Sequence, residues 1–423
     1  MQYIRKDQAS YNLHMIQTDK FKTMTVKVIF HSPIIKEEIT KRNILSDILL
    51  QSTSKYSSKR NMIIEAENLY AADIYNNTQR WGNYIMTSFT LQVLNDKYTE
   101  NGNFNKAVDF LSEILFHPDV SDGGFREEKL SLVKNHSEVN LSEIKEDPYD
   151  YSLIRLKEAY DKNSPISYRI LGYKEDLEKI NEKNLYQYYL KMLDTDYVDI
   201  FVVGDFNSKE ILELVKQKFR FRKVKKQKSK YELDIKTVRY RRLIAKEETP
   251  NTQSKLGIMC PISKMKEYEK NYPLVLANII LGGGIDSKLF KEVREKNSLC
   301  YSIYSTLQKL DNTIIISAGI DKNNYSKTLK EVTNILNLLK KGKFTEHDIV
   351  VAKELYGSSI TSIEDNPMNL ISEYLTEEIT GLENYKKREK TMNKVSKKEI
   401  IRAFRKIKMD TVFLLEGDHN EED

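Results

Sequence analysis

The 423 residues predict an α+β fold built from two homologous halves. The chain is too long for one ordinary hydrophobic core, so two domains are expected. Elements of the first half recur in the second in the same order. Strand-sized apolar runs are grouped with amphipathic helices rather than strictly alternating with them. That grouping argues for a mixed, mostly antiparallel sheet in each half, with helices packed on one face.

The repetition runs through three segments. Tyr197–Asn207 reads YVDIFVVGDFN and Thr411–Asn420 reads TVFLLEGDHN, each an apolar strand closing on Gly-Asp-x-Asn. A helical pattern precedes each, with Leu185, Tyr189 and Met192 on one face in the first and Ile400, Phe404 and Ile407 in the second. Upstream, 133–148 aligns without a gap on 352–367, both ending in an acidic turn and a proline. Helical segments at 105–116 and 325–340 stand before them. A third match sets 64–75 against 293–304. The offset is roughly 210 to 230 residues throughout, which points to duplication rather than chance.

Strands are expected at 24–30, 84–93 and 200–203, and in the second copy at 256–259, 313–318 and 412–415. The domain division follows: residues 1–220 form the N-terminal half, 221–250 a basic linker and 251–423 the C-terminal half. Fourteen Lys or Arg stand against two acids, Glu232 and Asp234, between Lys216 and Lys246. This segment carries a net +12 of the whole chain's +6, so the remainder is acidic. The aromatics among these charges, Phe219, Phe221, Tyr231 and Tyr240, raise a nucleic-acid reading. A solvated, charge-extended tether is the preferred one, because no nucleic-acid fold signature accompanies the charges.

Forty per cent hydrophobic residues place the chain among folded globular proteins. The first residues are polar and of mixed charge, with no basic start followed by an apolar run, so no secretory signal is expected. No stretch reaches the length of a membrane span. Two cysteines, Cys260 and Cys300, are too few for a disulfide framework, and a reducing cytoplasm is the expected compartment.

The densest motif is 282–304, GGGIDSKLFKEVREKNSLCYSIY. Asp286 or Ser287 can cap a helix whose apolar face is Leu289, Phe290 and Val293. Arg294 then falls near the helix end and Tyr301 on the strand beyond. An arginine fork and a phenol suit a peptide carbonyl or a carboxylate. The bland alternative is a surface arginine and a half-buried tyrosine. The triple glycine lacks the Gly-Lys-Ser/Thr ending of a phosphate loop.

This segment is similar to the second half of pitrilysin/insulinase-type zinc peptidases, matching at Gly283, Ser287, Leu289, Phe290, Arg294, Glu295, Lys296, Leu299, Tyr301 and Ser302. The duplicated layout extends the resemblance over nearly the whole chain. It implies two halves facing each other as a clamshell, with an extended peptide held by strand addition. It also implies that Arg294 and Tyr301 bind substrate backbone, supported by Gly283, Ser287 and Phe290, with their polar ends left open for it.

Active members carry His-x-x-Glu-His on their first helix, the histidines binding zinc and the glutamate activating water. The equivalent helix here is 41–51, KRNILSDILLQ, which places Ile44, Asp47 and Ile48 at the motif positions. A later helix gives Leu132, Val133, Lys134 and Asn135 where a further carboxylate is needed, with Glu138 one turn away. None of the six histidines pairs with another at zinc spacing on one helix. No Gly-x-Ser-x-Gly elbow is present, and neither cysteine stands in a nucleophile motif.

The resemblance therefore implies a zinc-free member with no catalytic residue and no cofactor of its own. Its expected role is to supply the Arg/Tyr grip to a zinc-bearing homologous subunit that cuts extended peptides, in peptide maturation or elongation-factor modification. The alternatives are a stand-alone peptide-binding or scaffold protein on a retired peptidase fold, and a nucleic-acid-associated protein using the basic linker.

Overall fold

The computed structural model describes residues 1–222, 230–235, 238–250 and 253–417. In the first half β1 (Gln2–Asp7), β2 (Asn12–Gln17) and β3 (Thr23–Pro33) precede helices α1 (Ile39–Ile48) and α2 (Lys59–Asn68). The hairpin β4 (Asp73–Trp81) and β5 (Tyr84–Leu94) leads to α3 (Asn103–Phe116). A two-residue hairpin, β6 (Val120–Ser121) with β7 (Gly124–Phe125), then precedes α4 (Glu127–Ser142) and α5 (Pro148–Asp161), and β8 (Tyr197–Gly204) follows. The second half contributes β9 (Leu243–Thr249), β10 (Ser254–Pro261), β11 (Ser302–Gln308), β12 (Thr313–Ile320) and β13 (Thr411–Gly417).

Sheet topology shows the duplication directly. The first sheet runs β1-β2-β8-β3-β5-β4 and the second runs β9-β13-β10-β12-β11. The pair β2–β8 is parallel and the steps β8–β3, β3–β5 and β5–β4 are antiparallel. In the second sheet β9–β13 is parallel and β13–β10, β10–β12 and β12–β11 are antiparallel. The five strands occur in the same chain order in both copies, so β8 and β13, the two strands that close on glycine, hold the same place. Residues 418–420, the end of the second Gly-Asp-x-Asn, lie outside the described residues.

Period-two alternation builds each core. Val26, Val28 and Phe30 of β3 point with Phe89, Leu91, Ile200 and Val202 toward the helices of their own half. There they meet Ile44, Leu45 and Ile48 of α1, Leu111 and Ile114 of α3, and Leu185, Tyr189 and Met192. Each such side chain contributes about 1.5–3 kcal/mol on full burial. The second core repeats the scheme with Ile258, Ile314, Ile316, Val412 and Leu414 against Leu276, Ile280, Val332, Leu336, Ile400 and Phe404.

The compact units divide the chain differently from the sequence halves. The first unit is 1–142, 169–230 and 364–372, and the second is 143–168, 231–363 and 373–423. Helix α5, from the first half of the sequence, thus packs on the second sheet. Its Leu156 and Tyr160 join Met259, Ile315, Phe413 and Leu415 on the sheet face opposite the main core. Tyr151 Oη and Arg155 Nε donate to Glu247 of β9 at 2.5 and 2.7 Å. In return 364–372 belongs to the first unit, where Lys20 pairs with Glu364 at 2.8 Å. Both exchanged segments begin within the second of the three repeats, where Pro148 and Pro367 start their helices with a ring that needs no helical N–H partner.

The described part of the basic stretch is not a solvated tether. Phe221 is buried in the first core, and Leu233 is buried on the outer face of the second sheet. Arg239 is ion-paired with buried Asp410 at 2.6 Å, and β9 is a strand of the second sheet. Specific acids and a parallel partner strand give these residues fixed places that a count of charges does not reveal.

Candidate functional site

Helix α1 carries Ile44, Asp47 and Ile48, the positions that the resemblance sets against a zinc motif. Ile44 and Ile48 are buried at 0% and 3% exposure in the first core. They offer no lone pair, and the space of the two imidazoles is filled with packed hydrocarbon. Asp47 is half-buried and its Oδ1 accepts from Asn76 Nδ2 of edge strand β4 at 2.7 Å. Burial raises its pKa, against the Asn76 bond and the nearby charges of His136 and Lys59. On α4, Val133 packs in the core, Lys134 Nζ donates to the Ile180 carbonyl at 3.0 Å, and Glu138 pairs with Lys174 at 2.8 Å. These residues do not fit a zinc ion.

Four of the described histidines fall elsewhere. His117 ends α3 beside Glu113 at 3.3 Å, and His347 lies in the first turn of the helix Glu346–Thr361. His14 and His31 are buried in the first sheet, on either side of Asp199 at 3.1 and 3.0 Å. Asn12 Nδ2 donates to the same carboxylate at 2.7 Å. Burial alone would raise the Asp199 pKa, but the bonds from both imidazoles hold it well below the usual carboxylate range. These three residues come from three neighbouring strands and lie up to 185 positions apart, so no local spacing announces them.

The second site lies within the second unit. The helix Pro273–Gly282 ends at Gly283, where a Cβ would come within 2.7 Å of the Ile279 backbone. Ser287 is buried, and its Oγ accepts the Phe290 N–H at 3.4 Å, capping the next helix as the motif requires. That helix is π-helical over Phe290–Lys296, a form often found at functional sites. Val293 packs in the core while Arg294 is exposed, its guanidinium 4.7 Å from the Phe290 ring centroid. This cation–π contact fixes the base of the fork.

Tyr301 stands just before edge strand β11, its N–H bonded to the Gly319 carbonyl at 2.8 Å. The side chain is 47% exposed. Arg294 is close enough to Cys300, the preceding residue, to oppose the rise that burial imposes on the thiol, which still reaches about 11. One expectation fails here. Tyr301 Oη donates to Asp321 Oδ1 at 2.8 Å, so its polar end is not left open. Asp321 follows the neighbouring strand β12 and is brought to Tyr301 by cross-strand register, a signal absent from the linear motif.

The family model described as "Peptidase M16 inactive domain" matches residues 179–356. A protein of Bacillus subtilis (strain 168) described as "Probable inactive metalloprotease YmfF" is 25% identical over 412 residues, 96% of this chain and 95% of its own. The matched model is an inactive M16 domain and this relative is described as an inactive metalloprotease, similarities of the kind that the pitrilysin/insulinase resemblance implies. A second protein of the same strain, "Uncharacterized zinc protease YmxG", is 27% identical over 263 residues, 62% of each chain. Among solved structures, a conserved protein from Enterococcus faecalis V583 superposes with a TM-score of 0.90 at 29% identity, covering 99% of this chain and all of its own. The YmfF relative is described as inactive, and in this chain Ile44 and Ile48 of α1 are buried hydrocarbon. Among the described residues no helix is long and apolar enough to cross a membrane.

Proposed function

We propose that this M16 homologue is the peptide-gripping, non-catalytic subunit of a two-chain zinc peptidase. The observation that carries the reading is the contrast between the two sites. Ile44 and Ile48 are closed into hydrophobic core, while Arg294 remains exposed on a capped π-helix and Tyr301, seven residues on, is 47% exposed.

The physical mode is strand addition. Edge strands β4 and β11 each leave one row of backbone groups unpaired within their own sheets. An extended peptide gains main-chain hydrogen bonds at such an edge. Arg294 then supplies donors for a peptide carbonyl or carboxylate. The partner in this reading is a zinc-bearing homologue. That one Bacillus strain holds relatives described as inactive and as a zinc protease supports the pairing. Both cysteines are unbridged and buried, which suits a reducing cytoplasm.

The test is co-purification of the chain from its native host, followed by peptide cleavage assays on the complex and on each component. The reading expects a zinc-bearing homologue to co-purify, with cleavage that needs both chains. Recovery of the chain alone, or with nucleic acid lost at high salt, would favour the scaffold or the nucleic-acid role instead.

A further inference from the structure

We propose that Asp321 is a specificity-determining residue of the grip. Together with Tyr301 it forms an acceptor for a positively charged group, ammonium or guanidinium, on the bound peptide. This inference rests on the reading of Arg294 and Tyr301 as peptide-binding residues.

The argument starts from the direction of one hydrogen bond. A phenol has a single proton, whereas a carboxylate only accepts. Tyr301 Oη lies 2.8 Å from Asp321 Oδ1, so the phenol donates. A peptide carbonyl reaching this point therefore finds no proton to accept. A donor finds a carboxylate whose Oδ2, among the described residues, accepts from the Asn324 amide at a long 3.4 Å. Asp321 is exposed, so an incoming cation can reach it.

The backbone holds the pair in place. Ser302 and Gly319 are register partners of β11 and β12, and the Tyr301 N–H bonds the Gly319 carbonyl. Tyr301 at the start of one strand and Asp321 past the end of its neighbour thus face each other. The nearest cation in sequence, Lys322, pairs with Glu416 at 3.7 Å and does not neutralise Asp321. Arg294 carries the opposite sign within electrostatic reach of Cys300. The grip is consequently two-signed: Arg294 takes an acceptor of the peptide, and Tyr301–Asp321 takes a cationic donor.

The test uses the full chain and short labelled Val/Ala peptides. Each peptide carries one lysine at a successive position and is matched by its norleucine counterpart. A free and an acetylated amino terminus separate a side-chain cation from a terminal one. In the wild type, one cationic peptide should bind roughly three- to fivefold more tightly than its neutral match, as expected of an exposed ion pair. High salt should erase the difference. Asp321→Asn should abolish the preference and keep the neutral peptide's affinity, because an asparagine oxygen still accepts the Tyr301 proton. Equal binding of cationic and neutral peptides by the wild type, or a preference that survives in Asp321→Asn, overturns the inference while leaving the grip standing. If no peptide of either kind binds, the grip itself fails and the inference falls with it.

Discussion

Arg42 of helix α1 is ion-paired with Asp196, the residue before β8, and the two are only 1% and 3% exposed. Arg42 Nε also donates to Thr87 at 2.8 Å, so one guanidinium ties α1 to two strands of the first sheet. This pair fixes the helix that carries Ile44, Asp47 and Ile48. Removing its anion leaves a buried, uncompensated cation, which costs about 3–5 kcal/mol. Asp196→Ala should therefore lower the unfolding free energy of the chain by roughly that amount. A surface pair such as Lys296–Glu292, 2.9 Å apart, should change it by less than about 1 kcal/mol when broken. Chemical denaturation of both variants makes the comparison, and equal small losses would contradict the account.

Lys27 gives a pH-dependent prediction. It lies on β3, opposite Thr90, 7% exposed, and burial pushes its pKa down to about 8 from an ordinary 10.5. Below pH 8 both folded and unfolded chains hold this proton, and the folded state bears the cost of a buried charge. Between about 8 and 10.5 the unfolded chain binds more protons, so stability contributed by this site rises with pH. Lys27→Met should then raise stability at pH 7 by about 1–3 kcal/mol, and the gain should shrink as pH approaches 10.5. Denaturant melts at pH 7 and pH 10 check the sign. A loss at pH 7, or a gain that grows with pH, would contradict it.

The zinc positions make a third prediction. The purified chain should hold no stoichiometric zinc and cleave no peptide alone, because Ile44 and Ile48 supply no ligands. Writing the motif back, with Ile44→His, Asp47→Glu and Ile48→His together, should destabilise the chain by several kcal/mol, roughly that of two core truncations with buried polar atoms added. Elemental analysis and thermal melts measure both. Zinc at one equivalent in the native chain, lost with activity on chelation, would refute the first part.

Much of this was readable in the sequence because it rests on local periodicity. The expected strands at 24–30, 84–93 and 313–318 fall within β3, β5 and β12, and the first and third repeats reach equivalent strands of the two sheets. The helix over these positions was legible for the same reason, since helix spacing alone sets Ile44 and Ile48 one turn apart. What was hidden depends on long-range register. The placement of α5 on the second sheet follows from a tertiary exchange that leaves no mark on its own amphipathic pattern. The Tyr301–Asp321 bond joins residues 20 positions apart across two strands. The His14–Asp199–His31 cluster spans most of the first half. Charge counting misjudged the described part of 221–250, because Arg239 has a specific buried partner in Asp410.

The most direct test of the central claim is the cleavage rate of the zinc-bearing partner, reconstituted with wild-type chain or with Arg294→Ala. Arg294 is exposed and, among the described residues, its guanidinium rests on the Phe290 ring, so the melting temperature of the chain should hardly change. A charge-assisted hydrogen bond to the peptide contributes about 1.5–3 kcal/mol. Peptide processing should therefore fall by roughly ten- to a hundredfold with pairing intact. An unchanged rate in a fully assembled pair would show that this chain does not grip the substrate.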